Sequence, residues 1–252
     1  MIDNPREYDL MAEVETEHWW YRTLHARVLR ALEHHFNRHD IAILDAGCGT
    51  GGLMHWLRTS GYTNLIGFDL SDLAVQYCRS RNLDASVGDL DRISDIFPQR
   101  TFDCIISNDT LYHVAEQQRA QFLQQAAARL APGGLLILNL PALQCLRGSH
   151  DKAVGITHRF TKSEISDLAK QAGLEILQMR YWPLVLTPAI WLVRTWQRMF
   201  QDNHDVAERP KSDLKSYSKG LNRALYTLLQ FEARYLPAAP FGSSLFVTLA
   251  RR

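Results

Sequence analysis

No run of about 20 consecutive apolar residues, the length a membrane-spanning helix needs, occurs in this chain. Its most apolar stretch, residues 181–200, is interrupted by Pro183, Pro188, Arg194 and Arg198 and fails that test. An excess of one charge is also missing: 28 basic residues face 27 acidic ones, for a net charge of +1. A nucleic-acid partner usually shows as a clustered basic excess, and nothing in this balance calls for one. The four cysteines, Cys48, Cys78, Cys104 and Cys145, are far apart and form no C-x-x-C pair. Without disulfide-type spacing, a reducing compartment is expected, here the cytoplasm. The polar, acidic start MIDNPREYDL is no signal peptide. Internal repeats and low-complexity segments are absent. No His, Cys or acid spacing matches a recognised metal pattern, so no metal is expected. With 46% hydrophobic residues in 252, the chain can build one full core, and single α/β domains reach this length.

Glycine is sparse but concentrated where it matters. Residues 41–52 read IAILDAGCGTGG. The apolar run Ile41 to Leu44 predicts a buried strand. Asp45 and the glycines Gly47, Gly49, Gly51 and Gly52 predict a tight turn into a helix that carries Leu53, Trp56 and Leu57. Glycines let a backbone turn sharply and approach a ligand closely. A dinucleotide site has the spacing G-x-G-x-x-G, with pyrophosphate on the helix N-terminus. Here the spacing is G-x-G-x-G-G, with an acid two residues before the first glycine. A carboxylate there would repel pyrophosphate and would pair with an amino group. The competing reading is a strand-to-helix turn with no ligand.

From residue 41 strands and helices alternate. The strand candidates are 41–45, 65–69, 84–87, 102–107, 134–140 and 174–181, and the helix candidates are 52–59, 72–81, 116–130 and 162–172. The last helix has a capping box, with Thr161 as cap and Glu164 three residues on, and Gly173 as its stop. Such alternation predicts a mostly parallel sheet covered on both faces, with ligands beyond the carboxyl ends of its strands. Residues 5–38 read as helical and include His18, Trp19, Trp20 and Tyr21. Beyond residue 181 the alternation stops. Helices are expected near 187–201 and 214–235, followed by a final strand over Leu245 to Leu249. The chain is therefore expected to form one domain. Residues 1–40 would be a helical cover, 41–181 the core, 182–241 a helical lid and 242–252 the last strand.

Two acids and one strand end stand out. Asp69 ends the second strand in GFDLS, 22 residues after Gly47, where an acid can accept both hydroxyls of a ribose. A helix-cap role is the alternative, but Ser71 already fills it. Asp89 follows the third strand in VGDLD and can accept from an adenine amino group, or can serve a turn. The fourth strand opens into NDTLYHV, which puts Asn108 and Asp109 at its carboxyl end with Tyr112 and His113 directly after.

The segments LDAGCGTGG, GFDLS, VGDL, FDCIISNDTLYHV and LAPGGLLIL occur in that order, and together they resemble the class I S-adenosylmethionine-dependent methyltransferases. The resemblance covers about residues 41–181 and, more loosely, the last strand. It implies a Rossmann-like sheet of seven strands whose last strand is antiparallel. It further implies S-adenosylmethionine as cofactor and S-adenosylhomocysteine as product. By the same resemblance, Asp45, Gly47, Gly49 and Gly51 would line the methionine moiety. Asp69 would hold the ribose with Leu70 beside it, Asp89 and Leu90 would meet the adenine, and Asn108 would approach the methionine end. HWWYR at 18–22 and the SHD and THRFTK segments resemble a bacterial subgroup that modifies small molecules.

Outside the core the readings divide. Trp20 and Tyr21 either pack the first helix onto the sheet or cover the cofactor and the acceptor, with Arg22 pairing the cofactor's carboxylate. His113, His150 and His158 are the candidate general bases, against structural hydrogen bonding. Tyr21, Tyr112, Asp151 and Arg159 are candidate acceptor contacts. The 187–201 helix carries Ile190, Val193, Trp196, Met199 and Phe200 on a broad apolar face. A core or lid helix is the default, and contact with a membrane surface through Arg194 and Arg198 is the less favoured alternative. The expected reaction is methyl transfer to a hydroxyl or amine of a small molecule, in biosynthesis, by a monomer or homodimer. A non-catalytic binding module, a lipid-like acceptor and an NAD-dependent oxidoreductase are the competing readings. The glycine spacing and Asp45 argue against the last.

Overall fold

Short apolar runs become strands buried on both faces. The computed structural model describes residues 5–148, 151, 154–201, 217–236 and 239–252. The strands are β1 (Ile43–Ala46), β2 (Leu65–Asp69), β3 (Ala85–Val87), β4 (Phe102–Asn108), β5 (Leu130–Pro141), β6 (Leu174–Trp182) and β7 (Ser244–Arg251). They form one sheet in the order β3-β2-β1-β4-β5-β7-β6. The strands β1 to β5 run parallel, and β7 lies antiparallel between β5 and β6. This is the Rossmann-like sheet with an antiparallel last strand that the resemblance implied. Every residue of β1 and β2 is buried, as central parallel strands covered on both faces require.

Side-chain alternation sends each strand's residues to two cores. On one face Leu44, Ile105, Leu136 and Leu138 pack with Phe122 and Ile165. On the other, Ile43, Cys104, Ile106 and Ile137 pack with Val28, Met54 and Val75. The helices are α1 (Pro5–Val14), α2 (Trp19–His35), α3 (Gly52–Thr59), α4 (Asp72–Ser80), α5 (Ile93–Ile96), α6 (Glu116–Arg129), α7 (Lys162–Gln171), α8 (Thr187–Gln201) and α9 (Lys219–Tyr235). The capping box of α7 is present: Thr161 Oγ1 accepts from the Glu164 N–H, and the Glu164 carboxylate accepts from the Thr161 N–H. None of the helices, among the described residues, is long and apolar enough to cross a membrane.

The expected helix over 5–38 is two helices. Acids crowd the end of α1 with no basic residue in its last turn, which opposes the helix dipole. The chain breaks after Val14, and His18 starts α2 by accepting the Trp20 N–H on Nδ1 at 3.2 Å. Residues 214–216 of the expected 214–235 helix lie outside the described residues, and α9 begins at Lys219, capped by Ser218. The segment 202–216 of the expected lid is likewise outside the description. The first strand pair of β5 sits further back than expected, at Leu130 opposite Phe102, across a register shift.

Glu15, in the break between α1 and α2, docks the cover on the core. Its buried carboxylate accepts from Thr50 Oγ1 at 2.7 Å and from the Gly52 N–H at 3.1 Å, and it pairs with Arg81. Arg81 also donates to the carbonyls of Thr50 and Ala12. Charged hydrogen bonds contribute about 1.5–3 kcal/mol each, and Arg81 retains some solvent, so Glu15→Ala is expected to cost about 2–3 kcal/mol. Urea unfolding measures it; an unchanged midpoint would show that α1 is held by other contacts.

Candidate active site

The sheet order reverses between β1 and β4, so the loops after these strands diverge and leave a crevice at their carboxyl ends. The glycine turn forms one wall. The N–H groups of Gly47 and Cys48 both donate to the Phe68 carbonyl, at 2.8 and 2.9 Å, which ties the turn to β2. Gly47 has φ +82°, and a Cβ there would stand 2.3 Å from Thr110 Cγ2. Only glycine meets both conditions. Gly51 has φ +89° and opens α3; a Cβ there would meet Leu83 Cδ1 at 2.6 Å.

A cavity of about 750 Å³ fills the crevice. At its glycine end Glu7, Glu15, Asp45 and Asp69 all reach it. Asp69 Oδ2 accepts from the Gly49 N–H and Oδ1 from the Ser71 N–H, both at 2.9 Å, while Ser71 itself caps α4. Burial raises the Asp69 carboxyl, opposed by these N–H donors. Burial, then the charges of Asp69 and Glu15, push Asp45 up to about 8. Burial and the Asp69 charge push the Tyr8 hydroxyl up to about 12. One oxygen of buried Glu7, Oε2, and the buried Asn108 Oδ1 have no hydrogen-bond partner among the described residues. The set therefore fits a cationic ligand that also brings donors. Beyond Asp69 the cavity runs past Leu70, Asp89 and Leu90. Leu70 is 46% exposed, an apolar side chain available to a flat ligand face. Asp89 turns the chain there by accepting the Asp91 N–H at 3.2 Å.

The other half of the cavity is aromatic and apolar. Trp19, Trp20 and Tyr21 of α2 face Tyr112 and His113, and Ile190 and Val193 of α8 close the side. Burial lowers the His18 imidazole to about 4, and Nδ1 already accepts a hydrogen bond. The neutral ring therefore carries its proton on Nε2, a buried donor without a partner among the described residues. Asp109, at the end of β4, also lines this half. Its φ is +53°, its N–H donates to the Asn139 carbonyl at 2.8 Å, and its Oδ2 accepts from Asn139 Nδ2 at 2.8 Å. Trp182 Nε1 donates to Asn139 Oδ1 at 2.9 Å.

Of the expected residues, Trp20, Tyr21, Asp45, Gly47, Gly49, Asp69, Leu70, Asp89, Leu90, Asn108, Tyr112, His113 and Arg159 line this one cavity. Packing corrects four others. The Arg22 guanidinium lies over the Tyr226 ring, 4.3 Å from its centroid, drawn there by α9. Asp151 is buried and spends both oxygens on Arg159 at 2.7 Å, so it positions Arg159 and does not line the cavity. His158 Nε2 is held by Glu164 Oε1 at 2.9 Å, off the cavity at the start of α7. Gly51 shapes the turn from outside. His150 lies outside the described residues. Among the described residues no group of three or more potential ligands forms a metal site.

Sequence reasoning missed Glu7, Tyr8, Met11 and Glu15, which line the cavity from the cover. The four-residue spacing puts Glu7 and Met11 on one face of α1, and Glu15 follows four residues on, just past its end, a signal that was present. The same reasoning placed Asp109 beside Asn108 at the carboxyl end of β4 but assigned it no role.

A family model described as a methyltransferase domain matches residues 16–179. A protein of Mycolicibacterium smegmatis described as a probable S-adenosylmethionine-dependent methyltransferase is 26% identical over 64% of this chain and 61% of its own length. The tRNA U34 carboxymethyltransferase of Pseudoalteromonas translucida is 32% identical over 48% of this chain and 37% of its own length. The chain thus spans less than two thirds of either relative. Among solved structures, magnesium protoporphyrin IX methyltransferase from Synechocystis PCC 6803, with bound SAM, superposes with a TM-score of 0.54. The match has 14% identity and covers 91% of this chain and 78% of that one, a likeness of fold.

The raised carboxyls set a pH dependence. An acid whose folded value lies above its ordinary 3.8 holds its proton in the fold but loses it when unfolded. Its contribution to stability is complete below that ordinary value and is lost as pH rises through about 7 for Asp109 and about 8 for Asp45. The melting temperature of the ligand-free protein is expected to fall from about pH 5 to about pH 8 and to fall less in Asp45→Asn. Calorimetric scans across that range check it; identical slopes in the two proteins would remove Asp45 from the account.

Proposed function

The chain belongs to the methyltransferase domain family of class I S-adenosylmethionine-dependent enzymes, and from that premise we propose that it methylates a hydroxyl or amine of a small molecule in the cytoplasm. The observation that carries this reading is the pairing of two unlike half-cavities. One holds four carboxylates around a glycine turn, and the other is walled by aromatic and aliphatic side chains. When bound, S-adenosylmethionine supplies a methyl group activated by a sulfonium, together with an ammonium.

The carboxylates of Asp45 and Glu7 pair the ammonium, and the desolvation that raises Asp45 in the ligand-free protein is relieved by that charge. Asp69, whose oxygens each retain acceptor capacity, takes the ribose hydroxyls. Leu70, Asp89 and Leu90 hold the adenine, and Asn108 Oδ1 accepts at the methionine end. Trp20 and Tyr21 line the cavity, where attraction between an aromatic ring and a cation is worth about 1 kcal/mol. The chain's remaining task is alignment of nucleophile and methyl carbon with exclusion of water, and orientation of this kind supplies up to about 7–11 kcal/mol. Helices α2, α8 and α9, as cover and lid, serve that exclusion. The acceptor half favours a small molecule with apolar surface over a polynucleotide. Cys48 and Cys78 remain free thiols although their sulfurs lie 3.8 Å apart, which fits a reducing compartment.

Calorimetric titration with S-adenosylhomocysteine, with NAD as control, tests the reading. Micromolar affinity for the former, none for NAD, and at least about tenfold weaker binding by Asp69→Ala are expected, since losing a hydrogen bond to a charged group costs about 1.5–3 kcal/mol. Absence of binding by the folded protein would overturn the function. Undiminished binding by Asp69→Ala would overturn the ribose assignment.

A further inference from the structure

Asp109 is a carboxylate at the acceptor end of the cavity with one oxygen committed and one free. Oδ2 is fixed by Asn139 Nδ2, and Asn139 is fixed in turn by the indole N–H of Trp182. The backbone N–H of Asp109 is fixed by the Asn139 carbonyl. Oδ1 accepts no hydrogen bond from any described residue. The left-handed φ of +53° is uncommon outside glycine, and Asp and Asn tolerate it best. Such strain at a cavity wall, held by a buried chain of hydrogen bonds, is a mark of a functional position.

We propose that Asp109 is the general base of this site and that its acceptor is a hydroxyl on an apolar or aromatic body. The proposal rests on the methyl-transfer reading above. The hydroxyl proton moves to Asp109 Oδ1 while an oxygen lone pair bonds the methyl carbon. The carbon–sulfur bond breaks, its electron pair stays on sulfur, and the proton later leaves Asp109 to water. No further reactant is needed. Asn139 and Trp182 are positioning residues.

The electrostatics select the acceptor. A carboxylate beside an amine stabilises the ammonium, which has no lone pair to attack with. A hydroxyl donates its hydrogen bond to the same carboxylate and gains nucleophilicity as the proton shifts. Among the described residues, the groups that interact with Asp109 are Tyr21 from α2, Tyr112 from the turn after β4, Asn139 from β5 and Arg159 from the segment before α7, with His113 of the same turn also lining the cavity. Burial pushes the carboxyl up to about 7, against the Asn139 hydrogen bond and the Arg159 charge. Asp151 neutralises much of that Arg159 charge. A base titrating there is matched to neutral pH.

The test uses the full chain and Asp109→Asn, which keeps the left-handed backbone. S-adenosylhomocysteine release is followed with a panel of substituted phenols and the matching benzylamines, between about pH 5.5 and 9. The wild type is expected to methylate phenols, with a rate that climbs to a plateau above about pH 7. Asp109→Asn is expected to bind S-adenosylhomocysteine within about threefold of wild type, to lose about 100-fold or more in kcat with little change in KM, and to lose the limb near pH 7. A variant that retains kcat and the limb overturns the proposal. So does a wild type that turns over the benzylamines but not the phenols, or neither, while binding S-adenosylhomocysteine. Should the variant not fold, a wild-type phenol rate flat across the range overturns the proposal by itself, and a limb near pH 7 supports it. Failure of the wild type to bind S-adenosylhomocysteine would instead sink the methyl-transfer reading beneath it.

Discussion

Two backbone hydrogen bonds to one carboxylate organise this molecule. Asp69 accepts the Gly49 N–H on one oxygen and the Ser71 N–H on the other. It thereby joins the glycine turn after β1 to the turn that starts α4. Both turns are irregular backbone beside a cavity, where unpaired N–H groups are costly. With the clamp in place, Gly47 can press against Thr110, and the loops after β1, β2 and β4 share one wall. A carboxylate is needed because it can accept at both ends and still have lone pairs for a ligand. The consequence is negative charge packed close to Asp45 and Glu15, and burial first, then the Asp69 and Glu15 charges, raise Asp45 to about 8. The ligand-free site is electrostatically frustrated in a way that a cation relieves. Binding is therefore driven as much by what the fold leaves unpaired as by what the ligand adds.

The cover follows from the same charge. Glu15 leaves α1 to bond the start of α3, and the helix ends because its last turn is acidic. The break between α1 and α2 is thus a consequence of docking. It lets α1 bring Glu7, Tyr8 and Met11 over the glycine turn while α2 brings Trp19, Trp20 and Tyr21 over the acceptor half. Helix α9 then holds α2 through Arg22 on Tyr226, Arg27 beside Glu232, and the Trp19 N–H on Asn222. That last set explains why Arg22 does not line the cavity. A side chain on the outer face of a cover helix belongs to whatever packs outside it.

The parts legible in the sequence are those fixed by local chemistry. The glycine spacing, Asp69 at a strand end and Ser71 as a cap each need only a few neighbouring residues to be read, and each lies where its pattern puts it. The seven-strand order was accessible through resemblance alone, because nothing local states that β7 inserts between β5 and β6. What local pattern could not reach were choices made by distant partners. His158 and Asp151 look like site residues in a string of polar side chains. Glu164 claims the first through α7, and Arg159 claims the second in a buried pair. Asp109 was hidden for the opposite reason. Its meaning comes from Asn139, thirty positions away on β5, and from Trp182 further on.

Trp182 shows how topology becomes chemistry. It ends β6, and β7 lies between it and the parallel strands, yet its indole N–H reaches Asn139 on β5. Its ring stacks on Trp20 of the cover, 5.7 Å between centroids, and carries the Arg27 guanidinium on its face at 4.8 Å. One fully buried side chain therefore touches both the element that closes the cavity and the residue that orients Asp109. A shift of α2 moves Trp20 against Trp182, and Trp182 cannot move without releasing Asn139, because a buried amide oxygen deprived of its donor is costly. The antiparallel pair that distinguishes this sheet from a purely parallel one thus links the cover helix, through Trp182 and Asn139, to Asp109.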